Sequence, residues 1–282
     1  MRSRKSLFVL GLFVLGLAAI SLVGCGDDEK GTSTNPNLLS GDDYVATTAH
    51  VNSSVDSTLT VIANGLASLM TNVSEDDDVV AQMPGIFYGP GFPGDGSFAD
   101  NWMVVTATSL TASGTVYYLD SLQFLINGTP QSTSVNADQM VVKHLWRVTN
   151  DDTTTTYVDY EAEGGLLFED LDGQAATITG DVSLEVDSKE VGTSTTWETW
   201  DIQVDITSLT VNRVNNQWTG SCPVAGDLTA TVTLTTQVGD AQPVVTEYEY
   251  TMTIENGSAS VSAVSGTKSA TYNVDFCTVP TM

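Results

Sequence analysis

Basic residues are nearly missing from this chain of 282 residues: nine lysines and arginines stand against 35 aspartates and glutamates, a formal net charge of −26. Such a surface repels phosphate backbones and anionic headgroups, which argues against nucleic-acid binding and against membrane contact through a basic patch. Histidine is scarcer still, with only His50 and His144. A histidine-rich zinc site therefore has no ligand set to draw on, and both residues read as surface or part-buried side chains, His144 within a strand from Val141 to Val148. No G-x-S-x-G elbow, phosphate-binding glycine loop or H-E-x-x-H occurs, so neither enzymatic activity nor a cofactor is expected. Long apolar runs are missing too. The longest, Leu7 to Ile20, has 14 residues, short of the ~20 a helix needs to cross a bilayer.

That run has a different use. Arg2, Arg4 and Lys5 precede it and small residues follow it, the layout of an export signal. Leu22-Val23-Gly24-Cys25 resembles the lipobox of bacterial lipoproteins. The resemblance covers the signal region and implies lipid on the Cys25 thiol, cleavage after Gly24 and acylation of the new amino terminus. Several acyl chains, at ~0.8 kcal/mol per buried CH2, would hold the protein almost permanently at the membrane. Aspartate directly after the cysteine retains some bacterial lipoproteins at the inner membrane. Gly26 stands there instead, so the expected location is the outer membrane, facing the periplasm or the surface. Removing residues 1–24 leaves six basic residues against all 35 acidic ones, a net charge of −29.

Residues 25–43 read as a flexible tether and 44–282 as a single β-rich domain, with a helix over about 48–73, a loop over 74–100 and antiparallel strands over 101–278. In the helix, Val51, Val55, Leu59, Ile62, Leu66, Leu69 and Val73 form one apolar stripe, with Thr47 or Thr48 as the N-cap. Its polar positions are poor helix formers, so it must be held by packing. A strand from Val55 to Ile62 is the alternative.

From Asn101 onward the pattern has period two. Leu228, Ala230, Val232 and Leu234 alternate with threonines; Trp200, Ile202, Val204 and Ile206 alternate with Asp201, Gln203 and Asp205; Val244 to Ile254 alternate with Val245 to Glu255. Asn127-Gly128, Asp172-Gly173 and Asn256-Gly257 mark hairpin turns. About ten to twelve strands follow from this spacing. The fold class is mainly β (α+β): a large, curved antiparallel β-meander or half-barrel with one long N-terminal helix packed on its apolar face. In architecture alone this resembles half-barrel envelope lipoproteins that shelter acyl chains; a transmembrane β-barrel is a further alternative. A weak internal echo, Gly180-Asp181-Val182-Ser183-Leu184-Glu185-Val186 against Gly226-Asp227-Leu228-Thr229-Ala230-Thr231-Val232, is consistent with duplication or with convergent strand patterning.

Cys222 and Cys277 are expected to pair, closing a loop of about 55 residues and stabilising the fold by roughly 4 kcal/mol; two free buried thiols are the alternative. The acidic run Glu75, Asp76, Asp77 and Asp78 is a weak metal candidate beside the plain reading of a solvated loop. Ile86, Phe87, Tyr88 and Phe92 make the glycine- and proline-rich loop after it unusually apolar, either as a plug for the core or as the rim of a ligand cavity. Two functions are compatible with this inventory. One is a lipid-anchored structural or interaction protein whose partner is another envelope protein. The other is a carrier that holds a lipid or another hydrophobic ligand between sheet and helix.

Overall fold

The computed structural model describes residues 37–69, 95–110, 114–150, 154, 156–214, 217–218 and 222–277. Cys25, the acidic run Glu75 to Asp78, and Ile86, Phe87, Tyr88 and Phe92 lie outside the described residues. The chain divides into two compact units, Met1–Leu38 and Leu39–Met282, and all the elements below belong to the second.

The helix, α1, spans Asp42–Leu69, so it starts six residues before the expected position. Thr47 and Thr48 are not its N-cap. Asp42 and Asp43 occupy its first turn, where carboxylates favour the positive end of the helix dipole, and Val45 N–H donates to the Gly41 carbonyl at 3.1 Å. Leu39, read from the sequence as tether, is buried, and its N–H donates to the Ser269 carbonyl at 3.1 Å. Val51, Val55, Leu59, Ile62 and Leu66 are each 2% exposed or less. The poor helix formers between them turn their hydroxyls back on the helix: Thr58 donates to the Ser54 carbonyl at 2.9 Å and Thr60 to the Asp56 carbonyl at 3.1 Å.

Among the described residues thirteen strands follow: β1 (Asp95–Ala99), β2 (Trp102–Leu110), β3 (Gly114–Ile126), β4 (Thr129–Gln131), β5 (Gln139–Asn150), β6 (Tyr157–Glu169), β7 (Ala175–Val191), β8 (Thr195–Val214), β9 (Gln217–Trp218), β10 (Ala225–Val238), β11 (Val244–Glu255), β12 (Ser258–Ser265) and β13 (Lys268–Asp275). All of β1, Asp95–Ala99, thus lies within the stretch expected as loop over 74–100. The order is β1-β2-β3-β5-β6-β7-β8-β10-β11-β12-β13, an antiparallel meander whose end strands do not pair with each other, with β4 on β3 and β9 on β8 as short side ribs. The sheet is open. Trp200 to Ile206, Leu228 to Leu234 and Tyr248 to Ile254 bury every second residue as the alternation predicts, but Val244, expected on that stripe, is 64% exposed.

Two of the predicted turns have the left-handed pairs that a tight hairpin requires: φ is 50° and 73° at Asn127-Gly128, and 51° and 83° at Asn256-Gly257. Asp172-Gly173 does lie in the β6–β7 turn, but the left-handed residue there is Asp170, φ 60°, whose carbonyl accepts from Gly173 N–H at 2.9 Å. The echo also has a local cause. β7 and β10 are the two neighbours of β8, and Thr207 of β8 is an inserted residue: Ile206 faces Gly180 and Leu228, while Leu209 faces Ile178 and Gly226. Gly180 and Gly226 have φ of 144° and 155°, and a Cβ would come within 2.0 Å of the Gly165 carbonyl oxygen at the first and 2.3 Å of the Ser208 carbonyl oxygen at the second. Both echoing segments therefore begin with glycine where their strand passes the same bulge.

Cys222 and Cys277 sit at disulfide distance, Sγ–Sγ 2.17 Å and Cα–Cα 5.6 Å. The link joins the segment entering β10 to the segment leaving β13, with the β11–β12 turn between them. Gly257 N–H donates to the Pro223 carbonyl at 2.9 Å and its own carbonyl accepts from Phe276 N–H at 3.0 Å, while a Cβ on Gly257 would press within 2.9 Å of both sulfurs. Replacing Cys277→Ser should lower unfolding free energy by about 2–5 kcal/mol in urea titrations, and neither cysteine should alkylate before reduction. Gly180→Ala or Gly226→Ala should each destabilise by about 2–4 kcal/mol through backbone strain and collision, read in the same titration.

Candidate functional site

Among the described strand residues, one fully buried carboxylate interrupts the apolar face of the sheet. Val105, Asp120, His144, Gly164 and Val182 are register partners in turn across β2, β3, β5, β6 and β7. Asp120 is only 2% exposed, and its Oδ1 lies 2.5 Å from His144 Nδ1. A carboxylate so placed is tolerable because the imidazole shares a hydrogen bond with it across the strands. Gly164 faces His144 because its strand passes too close to β7 for a side chain: a Cβ there would lie 2.6 Å from the Asp181 carbonyl oxygen.

Beside this pair runs a row of aromatic rings. Tyr118 and Trp146 are register partners two residues along from Asp120 and His144. Their ring centroids are 6.0 Å apart, and Trp146 continues to Tyr160 of β6 at 6.3 Å, with planes within 2° at each step. These are offset stacks. All three rings are half-buried, whereas Phe124, Phe168, Trp200 and Tyr250 on the same face are sealed. Burial, and then the nearby Asp120 charge, push the Tyr118 phenol up to about 12, and burial raises Tyr160, so both keep their protons across the physiological range. Trp146 Nε1 is buried without an acceptor.

The sequence reading placed His144 in its strand but missed its partner. The available signal was parity: Asp120 interrupts the buried set Val116, Tyr118, Leu122 and Phe124, and His144 interrupts Met140, Val142, Trp146 and Val148. Among the described residues no hydroxyl or thiol is hydrogen-bonded to His144, so the pair lacks the nucleophile of a triad. Nor do any three His, Cys, Asp or Glu side chains among the described residues converge as a metal site. His50, on α1, stands 4.6 Å from the Trp200 ring, and burial lowers its pKa. The arrangement can offer stacking and hydrogen bonding to a bound molecule.

The exposed face is of opposite character. Asp159 faces Asp187, Glu161 faces Glu185, Glu185 faces Asp201 and Asp181 faces Asp205 as direct cross-strand partners. Like charges so placed repel. Arg147 intervenes, donating to Glu161 through Nε at 2.8 Å and Nη2 at 2.6 Å, and it holds Glu161 below its ordinary value. Glu185 is raised, first by burial and then by Asp187, Asp201 and Glu161.

Compared with protein-family models, with curated proteins and with solved structures, the chain finds no match.

A glutamate raised in the folded state binds its proton more tightly there than in the unfolded chain, so the stability it contributes is present below the ordinary value of 4.5 and is lost as pH rises through the folded value. At low ionic strength the melting temperature should therefore increase on acidification from neutrality toward pH ~5. Glu185→Gln should raise it at neutral pH by about 1–3 °C and flatten that dependence, as read by circular dichroism.

Proposed function

We propose that this chain is a lipid-anchored cell-envelope protein of structural or protein-interaction type, held at the outer membrane through lipid on Cys25 and without catalytic activity. In this reading the open sheet curves around α1, whose apolar stripe is seated on the sheet's buried face. Several contacts support that seating. Tyr272 donates to Asn52 Oδ1 at 3.0 Å, the Thr48 and Tyr250 hydroxyls lie 3.2 Å apart, and a Cβ on Gly65 would come within 3.2 Å of Met140 and 3.3 Å of Phe168. The observation that carries the functional reading is the single sealed cluster in which Val51, Val55, Leu59, Ile62 and Leu66 join the buried strand residues, most of them under 4% exposed. Such close burial favours a core filled by side chains over one that holds a carried ligand. The surface left for partners is polar, threonine-rich and acidic.

One observation favours the second reading, a hydrophobic-ligand or lipid carrier. The row Tyr118, Trp146 and Tyr160 is the stretch of the buried face that stays half-open, and flat apolar molecules stack on such rings.

Both readings are testable. Cells grown with labelled palmitate should label the wild-type protein and not Cys25→Ser, which should leave the membrane fraction; equal labelling of the two would remove the anchor from the account. Native mass spectrometry and solvent extraction of the purified processed protein should find the bare mass. A stoichiometric co-purifying lipid would transfer the assignment to the carrier reading.

A further inference from the structure

We infer that Arg213 and Trp218 form a binding site for an oxyanion, a carboxylate or phosphate group. The two residues are register partners in the β8–β9 pairing, and the Arg213 guanidinium carbon lies 4.4 Å from the centre of the Trp218 ring. One guanidinium nitrogen, Nη2, donates to the Leu171 carbonyl at 3.0 Å, and the Arg213 backbone N–H donates to the Gln174 carbonyl at 2.8 Å, so the β6–β7 turn holds the arginine in place. Two donors are left over. Arg213 Nε and Trp218 Nε1 are both buried, and neither has an acceptor.

The chemistry of those atoms selects the ligand. An indole N–H and a guanidinium N–H can only donate, and the guanidinium keeps its charge at any accessible pH. A buried donor left without an acceptor is destabilising, because it has given up its water for nothing. What relieves both at once is a group that only accepts and carries negative charge. The described residues do not provide it: the salt bridges among them are His144–Asp120 and Arg147–Glu161. Arg147 shows what an arginine of this protein does when a carboxylate is in reach, and Arg213 is placed otherwise. Its position is also unusual. Beyond the inserted Thr207, alternation continues from Leu209 and Val211, both fully buried, and puts Arg213 on the apolar side of β8. In a chain of net charge −26 this is a cation set at the edge of the core, with turn contacts that orient it and no salt bridge among the described residues. Trp146 and Trp200 also carry an unpartnered N–H, but neither has a cation over its ring among the described residues. Because both donors of the pair are closed off, the anion enters by tilting the Trp218 indole away from the guanidinium, and β9, two residues long, is the element that gives.

The full processed protein, in detergent solution and labelled with nitrogen-15, should be titrated with sodium phosphate and with sodium acetate at constant ionic strength. In a separate arm it should meet vesicles of phosphatidylcholine with and without phosphatidic acid. One indole N–H signal, identified by its loss in Trp218→Phe, should shift saturably at millimolar anion, and the melting temperature should rise with it. Saturation by the free anions identifies a soluble ligand; a response confined to phosphatidic acid vesicles identifies a lipid headgroup. Arg213→Lys should weaken binding by about tenfold. Trp218→Phe keeps the stacked ring while removing the N–H, and should weaken it without unfolding the protein. The site is ruled out if no probe shifts that indole, if Arg213→Lys responds like the wild type, or if Trp218→Phe retains wild-type affinity by melting temperature.

Discussion

A strand with one face in the core and one in water must keep every second side chain on the same side, and a twenty-residue strand cannot do so indefinitely while its neighbours twist and change register. In β8 the conflict is resolved by a single inserted residue, Thr207. Up to Ile206 the buried residues have even numbers; from Leu209 they have odd ones. Gly180 and Gly226 flank the insertion because only glycine tolerates both the conformation and the closeness of the neighbouring carbonyl. Much else depends on this device. It lets the second half of β8, with Leu209 and Val211, seal the same core as its first half, beside Ala176 and Ile178 at the start of β7, and it turns Arg213 toward that core. The internal echo of the sequence is an imprint of the same bulge on two strands that share a neighbour.

The two faces of the sheet embody opposite electrostatic solutions. The exposed face tolerates carboxylates in direct opposition because water screens them, and it spends one arginine among them. The buried face tolerates one carboxylate, Asp120, because His144 is fixed against it. Three other described cations, Lys143, Lys189 and Arg213, lie over the rings of Trp102, Trp197 and Trp218. Indole faces offer a cation some compensation without asking it to leave water for a fixed ion pair. We have no physical account of why the chain places three of its few cations this way when acidic residues are so abundant.

The strand alternation was legible because burial on one side imposes period two directly on the sequence, as in Leu228 to Leu234 and Trp200 to Ile206. The hairpins at Asn127-Gly128 and Asn256-Gly257 were legible because few other residue pairs accept positive φ twice. The start of α1 was misplaced because the apolar stripe begins at Val51, while the first turn is set by Asp42 and Asp43, which the stripe does not include. Val244 was assigned to the buried stripe because it keeps the phase of Tyr248 and Tyr250, although β11 there has run past the core. The Asp120–His144 pair went unread for a different reason. Each residue alone is only a polar interruption in an apolar alternation, and 23 residues of chain separate them.

Local pattern and composition alone specify the one-sided sheet, the poverty of cations, the two cysteines available for pairing and the basic-then-apolar opening from which the proposed anchor is drawn. These properties need no knowledge of what lies across the sheet. Only the tertiary structure decided which residues meet. It set Asp120 against His144, aligned Tyr118, Trp146 and Tyr160, opposed carboxylate to carboxylate on the outer face, and brought Arg213 beneath Trp218 with donors left unspent. The reason is register: partners across strands are fixed by turn lengths and by one inserted residue, and neither the distance between two side chains nor the lack of an acceptor is written in the order of the residues.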